Sequence, residues 1–278
     1  MSRNKNRLEG HQPQHSETPM QFNPLNFVTP TEFVTLPSEG VDYPEGHPLH
    51  NQETIEIKFM TAKDEDILTS QSLLEKGIAI DRFLENIMVD KNLDLDTLLV
   101  GDKNAILIAA RGSGFGFNYD AIVKCINCGT SNMVEFDLRN PTVVGIYNPD
   151  QTIIKKISAG NYSTVMPLSQ FTVGFRLMNS SDEKVIAKEL KKKSKDREHN
   201  LLTGQFKRII QSIEGHEDQK IIDQYVDNMP TVDSRHFKLC IKAASPNVEI
   251  QEEMTCKNCG ESKEVDVPFG TSFFWPDL

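Results

Sequence analysis

Apolar and polar positions change period often along this chain, which predicts many short elements and few long ones. Thr54–Met60 (TIEIKFM) alternates and predicts a strand. Thr61, with Asp64 close behind, opens a helix to Lys76, and Gly77 stops it. Ile80–Met88 predicts a second short helix with Ile80, Phe83, Leu84 and Ile87 on one face. Asp94–Val100 predicts one further turn. Asp102 is placed to cap a helix over 103–111 that Gly112 ends. Residues 142–178 hold four strand-like runs, TVVGIY, TIIKKIS, YSTVMPL and FTVGFRL, expected to form a small sheet with two flanking hairpins. Residues 181–228 turn helical, from Ser181, then over Leu201–Ile213, then over Lys220–Val226. Ser234 caps a last helix to Ala244, before Pro246. The expected fold class is α+β, with short helices, a small antiparallel sheet and a helical insert around 181–244.

The two ends differ from this body, which is placed at 53–278. Residues 1–20 are polar and read as a disordered tail. Over 21–52, Phe22, Phe27 and Phe33 interleave with Pro24, Pro30 and Pro37. Proline at this density excludes a regular helix and predicts an extended arm with turns. At the other end Phe273, Phe274 and Trp275, the only tryptophan, fall within the last ten residues. Aromatics so placed either cover the chain's own core or anchor a partner, and all six are candidate partner contacts.

An internal repeat carries the clearest chemistry. Cys125-Ile-Asn-Cys-Gly-Thr-Ser and Cys256-Lys-Asn-Cys-Gly-Glu-Ser share the pattern CxNCGxS, each followed by alternating strand-like residues. Each reads as a knuckle on a β-hairpin, with Gly129 and Gly260 where the turn needs a positive φ. Two CxxC pairs favour a metal over a redox dithiol, because tetrahedral zinc takes four thiolates and each turn presents two. Paired disulfides and a redox dithiol are the alternatives; the thioredoxin-like βαβ context of a redox pair is not visible. Cys125, Cys128, Cys256 and Cys259 are therefore the candidate ligands of one structural Zn²⁺ per chain. Four thiolates leave no open position, which argues against catalysis at the metal. Cys240, in the helical run RHFKLCIKAAS, reads as a core thiol. The knuckles are 127 residues apart, so a shared metal would tie distant parts of the chain together.

Composition narrows the function. The 278 residues carry a formal charge of -10, from 40 acidic and 30 basic side chains. Nucleic-acid binding needs a basic surface, so the charge argues against the rival reading of a zinc-ribbon nucleic-acid-binding protein. The lysine cluster Lys188–Lys195 keeps that rival open, although interspersed acids suit a solvated helix face better. No apolar run approaches the ~20 residues of a membrane span, and the polar start lacks the apolar stretch of a secretory signal. Gly112, Gly114 and Gly116 lack the strand, helix and Lys-Ser/Thr context of a phosphate loop. The seven histidines show no triad or metal spacing, and no GxSxG or HExxH occurs. The expectation is a non-enzymatic protein.

Ordered stretches also resemble a known family. Glu32–Gly40 (EFVTLPSEG), Tyr43–Leu49 (YPEGHPL), Thr54–Leu68 (TIEIKFMTAKDEDIL), Gly101–Ile106 (GDKNAI), Arg111–Phe117 and both CxxCG motifs are similar to the baseplate hub subunit and assembly proteins of T4-like contractile-tailed phages. The resemblance is strongest over 32–140 and only an outline over 142–230. It implies a structural or assembly component of the baseplate hub with no catalytic residues. Its implied partners are other hub, spike or tape-measure proteins. Its implied locations are the host cytoplasm during assembly and the virion tail baseplate.

Overall fold

Where an extended arm was expected, the described residues from Thr31 onward form a paired strand and packed turns. The computed structural model describes residues 28–150, 153–192, 201–268 and 271–274. Strand β1 (Thr31–Thr35) pairs antiparallel with β2 (Thr54–Lys58), from Thr31 opposite Lys58 to Thr35 opposite Thr54. The turns between them bury Leu36, Tyr43 and Leu49. Proline excludes a helix here, as expected, but its fixed φ suits turns that pack. The stretch 31–52 is thus part of the body's surface layer and core. The expected tail over 1–20, and Phe22, Phe27 and Trp275, lie outside the described residues.

The expected helix from Thr61 is two helices, α1 (Ala62–Thr69) and α2 (Gln71–Lys76), because Ser70 between them is extended. Asp64 secures the start of α1 by accepting from Thr61 N and Oγ1 at 2.9 and 2.7 Å. Helix α3 (Ala79–Ile87) buries Phe83, Leu84 and Ile87, the face its pattern predicted. After a 3-10 turn at Leu95–Thr97, α4 runs from Val100 to Phe115 and is buried along much of its length. It is longer than expected at both ends. Asp102 lies in its first turn rather than capping it, and Gly112 does not stop it. A Cβ at Gly112 would meet the Phe117 ring at 2.4 Å, so ring packing offsets the cost of about 1 kcal/mol for glycine in a helix. A Cβ at Gly101 would meet the Pro246 carbonyl at 1.8 Å, so this glycine lets a backbone 145 positions away rest on α4.

Strands β3 (Asn118–Lys124) and β4 (Ser131–Asp137) form the first knuckle hairpin. Next come β5 (Thr142–Val144), β6 (Lys155–Ser158), β7 (Asn161–Val165) and β8 (Thr172–Arg176). Helices α5 (Ser180–Lys192) and α6 (Leu201–Ile209) lead into β9 (Ile210–Ile213), and α7 (Gln219–Asp227) and α8 (Thr231–Ala244) follow. Strand β10 (Asn247–Glu249) pairs with β5, and β11 (Gln251–Thr255) with β12 (Ser262–Asp266) makes the second hairpin.

The class is α+β, as expected, but the sheets divide differently. The middle strands do not join the hairpins; β6-β7-β8-β9 form an antiparallel sheet of their own. The expected helix over Leu201–Ile213 breaks at Ile210. Ile210 and Ile213 suit either state by propensity, and pairing with β8 makes them a strand. Lys188, from the lysine cluster, is exposed on α5.

One hydrophobic cluster runs from Val34 to Phe274 and joins these parts. Its C-terminal members correct an expectation. Phe273 and Phe274 are buried, stacked edge-on against Tyr119 and Phe83 at 5.1 and 5.2 Å between ring centroids. They cover the chain's own core and are not available to a partner. Buried Arg111 holds them there, donating from Nε to the Phe273 carbonyl at 3.0 Å. Of the described aromatic candidates, Phe33 remains outward, 70% exposed on β1.

Two buried carboxylates hold the N-terminal turns. Asp102 Oδ1 accepts from Ser38 N at 3.0 Å, and its Oδ2 accepts from Ser38 Oγ and Tyr43 Oη at 2.6 and 2.7 Å. Asp42 accepts from Tyr162 Oη and Lys156 Nζ at 2.8 and 2.7 Å, which ties the same turns to the four-stranded sheet.

Candidate metal centre

Each knuckle is a hairpin turn in which two cysteines face the same way. Cys125 N donates to Thr130 O and Gly129 N to Cys125 O, at 2.9 and 2.8 Å. In the second knuckle Cys256 N donates to Glu261 O and Gly260 N to Cys256 O, at 2.8 and 3.0 Å. Gly129 and Gly260 adopt φ of 72° and 71°, the left-handed conformation expected of them. The local repeat in sequence is thus a repeat in geometry.

The fold brings the two knuckles together. The sulfurs of Cys125, Cys128, Cys256 and Cys259 lie within 4.8 Å of one another. Two approaches cross between knuckles: Cys125 Sγ to Cys259 Sγ is 3.7 Å and Cys128 Sγ to Cys256 Sγ is 3.5 Å. Metal–sulfur bonds of about 2.3 Å at tetrahedral angles put sulfurs about 3.8 Å apart. The separations fit that geometry and are far from the ~2.05 Å of a disulfide. All four cysteines are free thiols, with Cys125 and Cys256 buried and Cys128 and Cys259 exposed. The four-cysteine set can hold one metal ion and is compatible with zinc.

The two exposed thiols are pushed in opposite directions. Thr130, through its side chain and backbone, holds the Cys128 thiol down at about 6, with help from Asn258. The Glu261 backbone pulls the Cys259 thiol down, but burial and the neighbouring thiols outweigh it and push it up to about 11. Four adjacent thiolates repel one another, and a bound cation removes that conflict.

The repeat contains more than ligands. The asparagine of each CxNC acts on the other knuckle: Asn127 Nδ2 lies 3.8 Å from Cys259 Sγ, and the Asn258 side chain helps lower the Cys128 thiol. Recurrence of asparagine at this position was the signal in the sequence for that role. Asn132 carried no such signal, since its counterpart in the second repeat is Lys263. It is buried, accepts from Lys257 N at 2.9 Å, donates to Thr130 O at 2.9 Å and points Nδ2 at Cys256 Sγ, 3.7 Å away. Outer-shell partners of this kind typically tune metal affinity 10–100-fold. Asn132→Ala is therefore expected to lower metal affinity by about tenfold or more. Competition with a chromophoric chelator measures it, and unchanged affinity would remove Asn132 from the site.

Cys240 stands apart, as expected. It is fully buried on α8, near His236 Nε2 at 3.4 Å and Thr164 Oγ1 at 3.4 Å. Burial pushes its thiol up, which opposes a nucleophilic role for this pair.

The extent of the fold around this centre agrees with a comparison to protein families. The family model described as T4 bacteriophage base plate protein matches residues 31–275. The chain belongs to that family. The match starts at β1 and takes in both knuckles and the buried Phe273 and Phe274. Searches of curated proteins and of solved structures gave no match. As a baseplate-family member the protein is a structural component of a phage baseplate, and its partners are other baseplate proteins. Among the described residues no helix is long and apolar enough to cross a membrane.

Proposed function

We propose that this baseplate protein is a zinc-stapled, non-enzymatic component of the baseplate hub. It works by presenting a rigid surface to hub, spike or tape-measure proteins, joining them in the host cytoplasm and residing in the tail baseplate. The observation that carries this is the convergence of both knuckles into one four-sulfur cluster inside a family match covering 31–275. Zinc is proposed over other ions because an all-thiolate tetrahedral set on two knuckles suits it. An iron tetrathiolate is the other metal this set accommodates. Phe33, together with Phe22, Phe27 and Trp275, is proposed to contact partners. Phe273 and Phe274 are withdrawn from that role by their burial.

Two measurements test the proposal. Elemental analysis of reduced, freshly purified protein should give one zinc per chain; iron with visible absorbance would replace zinc, and no metal would end the centre. Coexpression with the hub, spike and tape-measure proteins should give a co-sedimenting complex. Sedimentation alone in the presence of all of them would overturn the hub assignment.

A further inference from the structure

In the first knuckle hairpin the outer hydrogen-bonding edge of β3 is open. Phe117 and Leu138, and Cys125 and Thr130, are joined by backbone bonds, and the register between them runs unbroken from Asn118–Asp137 to Lys124–Ser131. Bonding direction alternates along an antiparallel strand. The odd-numbered residues of β3 therefore face β4, and Asp120, Ile122 and Lys124 turn their N–H and C=O groups away. Among the described residues β3 pairs with β4 alone. Natural edges are usually blunted by a charge, a proline or a bulge at the critical point. Here the middle of the edge is Ile122, 62% exposed, directly opposite Met133, 53% exposed. Lys124 and Asp120 flank this apolar pair but do not interrupt it.

A groove of about 610 Å³ runs beside this edge, between the two hairpins. Val123, Met254 and Val265 supply its apolar part. Glu264 and Asp266 stand on β12 and Glu261 just before it, with Lys124 and Lys263 as the basic residues. Gln251 also lines a second groove of about 420 Å³, whose charged residues are Asp137, Glu249 and Glu252. Together the two linings carry six acids against two bases.

We propose that β3 accepts an extended segment of a neighbouring baseplate protein as an added strand, with aliphatic and basic side chains in alternation. Side chains on the outer face extend the Ile122–Met133 stripe, which selects aliphatics. Side chains on the inner face cross Val123 and reach β12, which selects lysine or arginine. Their methylene stems cover the apolar floor and their charges meet Glu264 and Asp266. Main-chain bonds to Ile122 and Lys124 supply the register, as in other strand additions. The inference deepens the proposed partner role and rests on it for the existence of a neighbour.

The test uses the intact, metal-loaded protein and a fluorescein-labelled octapeptide of alternating valine and arginine. Anisotropy should show saturable binding, with slowed amide exchange at Ile122 and Lys124. Glu264→Lys with Asp266→Lys, both exposed, should weaken it at least tenfold while metal content stays unchanged. Methylating the peptide amides that face β3 should weaken it to a similar degree. Equal binding of a valine–glutamate octapeptide, indifference to amide methylation, or protection elsewhere would overturn the proposal. Failure of the peptide on a protein that still co-sediments with hub proteins would sink the strand addition and leave the hub reading intact.

Discussion

Cys256→Ser is expected to release the metal and free the second hairpin before the rest of the chain unfolds. That hairpin has little core of its own. On β11 only Met254 is buried, and on β12 no residue is fully buried. An isolated two-stranded hairpin is marginal in water. The first hairpin differs, since Tyr119, Ala121, Val134 and Phe136 anchor it in the body. A metal bound by the four thiolates would hold the weaker hairpin against the stronger one. Structural zinc contributes about 10–16 kcal/mol in small peptides. A hairpin tethered at both ends recovers only part of this. A loss of about 4 kcal/mol, at about 2–4 °C per kcal/mol, lowers Tm by about 10 °C. Limited proteolysis should then cut first within 251–266, and chelation of the unmodified protein should reproduce the pattern. Cys240→Ala should retain the metal. First cleavage elsewhere, or an unchanged Tm, would show that packing and not the centre holds this hairpin.

The second large effect is expected at Asp102, far from the metal. Leu99 N donates to Tyr43 Oη and Gly40 N to Ser38 Oγ, each at 3.1 Å. Both hydroxyls are thereby turned to donate to the Asp102 carboxylate. Asp102→Ala leaves the Ser38 N–H and two hydroxyls without their acceptor. Each unmet buried donor costs about 1–3 kcal/mol, and relief from burying the carboxylate opposes this, leaving a net loss of about 3 kcal/mol. Denaturant titration measures it.

The pH dependence follows from the same burial. Desolvation raises the Asp102 carboxyl above its ordinary value, against the hydrogen bonds from Ser38 and Tyr43 that lower it. The folded state then binds this proton more tightly than the unfolded state. Stability from this group is greatest below the unfolded value and falls as pH rises through the folded one. The penalty of Asp102→Ala should accordingly be larger near pH 4 than at pH 7. A penalty that grows with pH would reverse the assigned direction.

These two sites were legible to different degrees. The ligands were readable because CxNCGxS places ligand, turn glycine and strand within a few residues, and it occurs twice. The hydrophobic face of α3 was readable for a similar reason, since Phe83, Leu84 and Ile87 repeat at helical spacing. Asp102 carried a local signal that pointed the wrong way. An acid before an apolar run suits a cap, but the helix begins earlier and the carboxylate serves residues 64 positions away. Ile210–Ile213 continued a helical pattern, and only pairing with β8 made it a strand.

The sequence by itself determined the α+β class, the two knuckles, the left-handed glycines and the four thiols, all of which depend on near neighbours. The tertiary structure decided that the knuckles meet and that Asn132 bridges them by bonding Lys257, 125 positions on. It also seated Phe273 in the core through Arg111, 162 positions away. Local conformation and ligand chemistry are encoded within one turn or hairpin and repeat with it. Contacts over such separations have no period to read. They arise only when burial of one shared core brings distant segments to the same place.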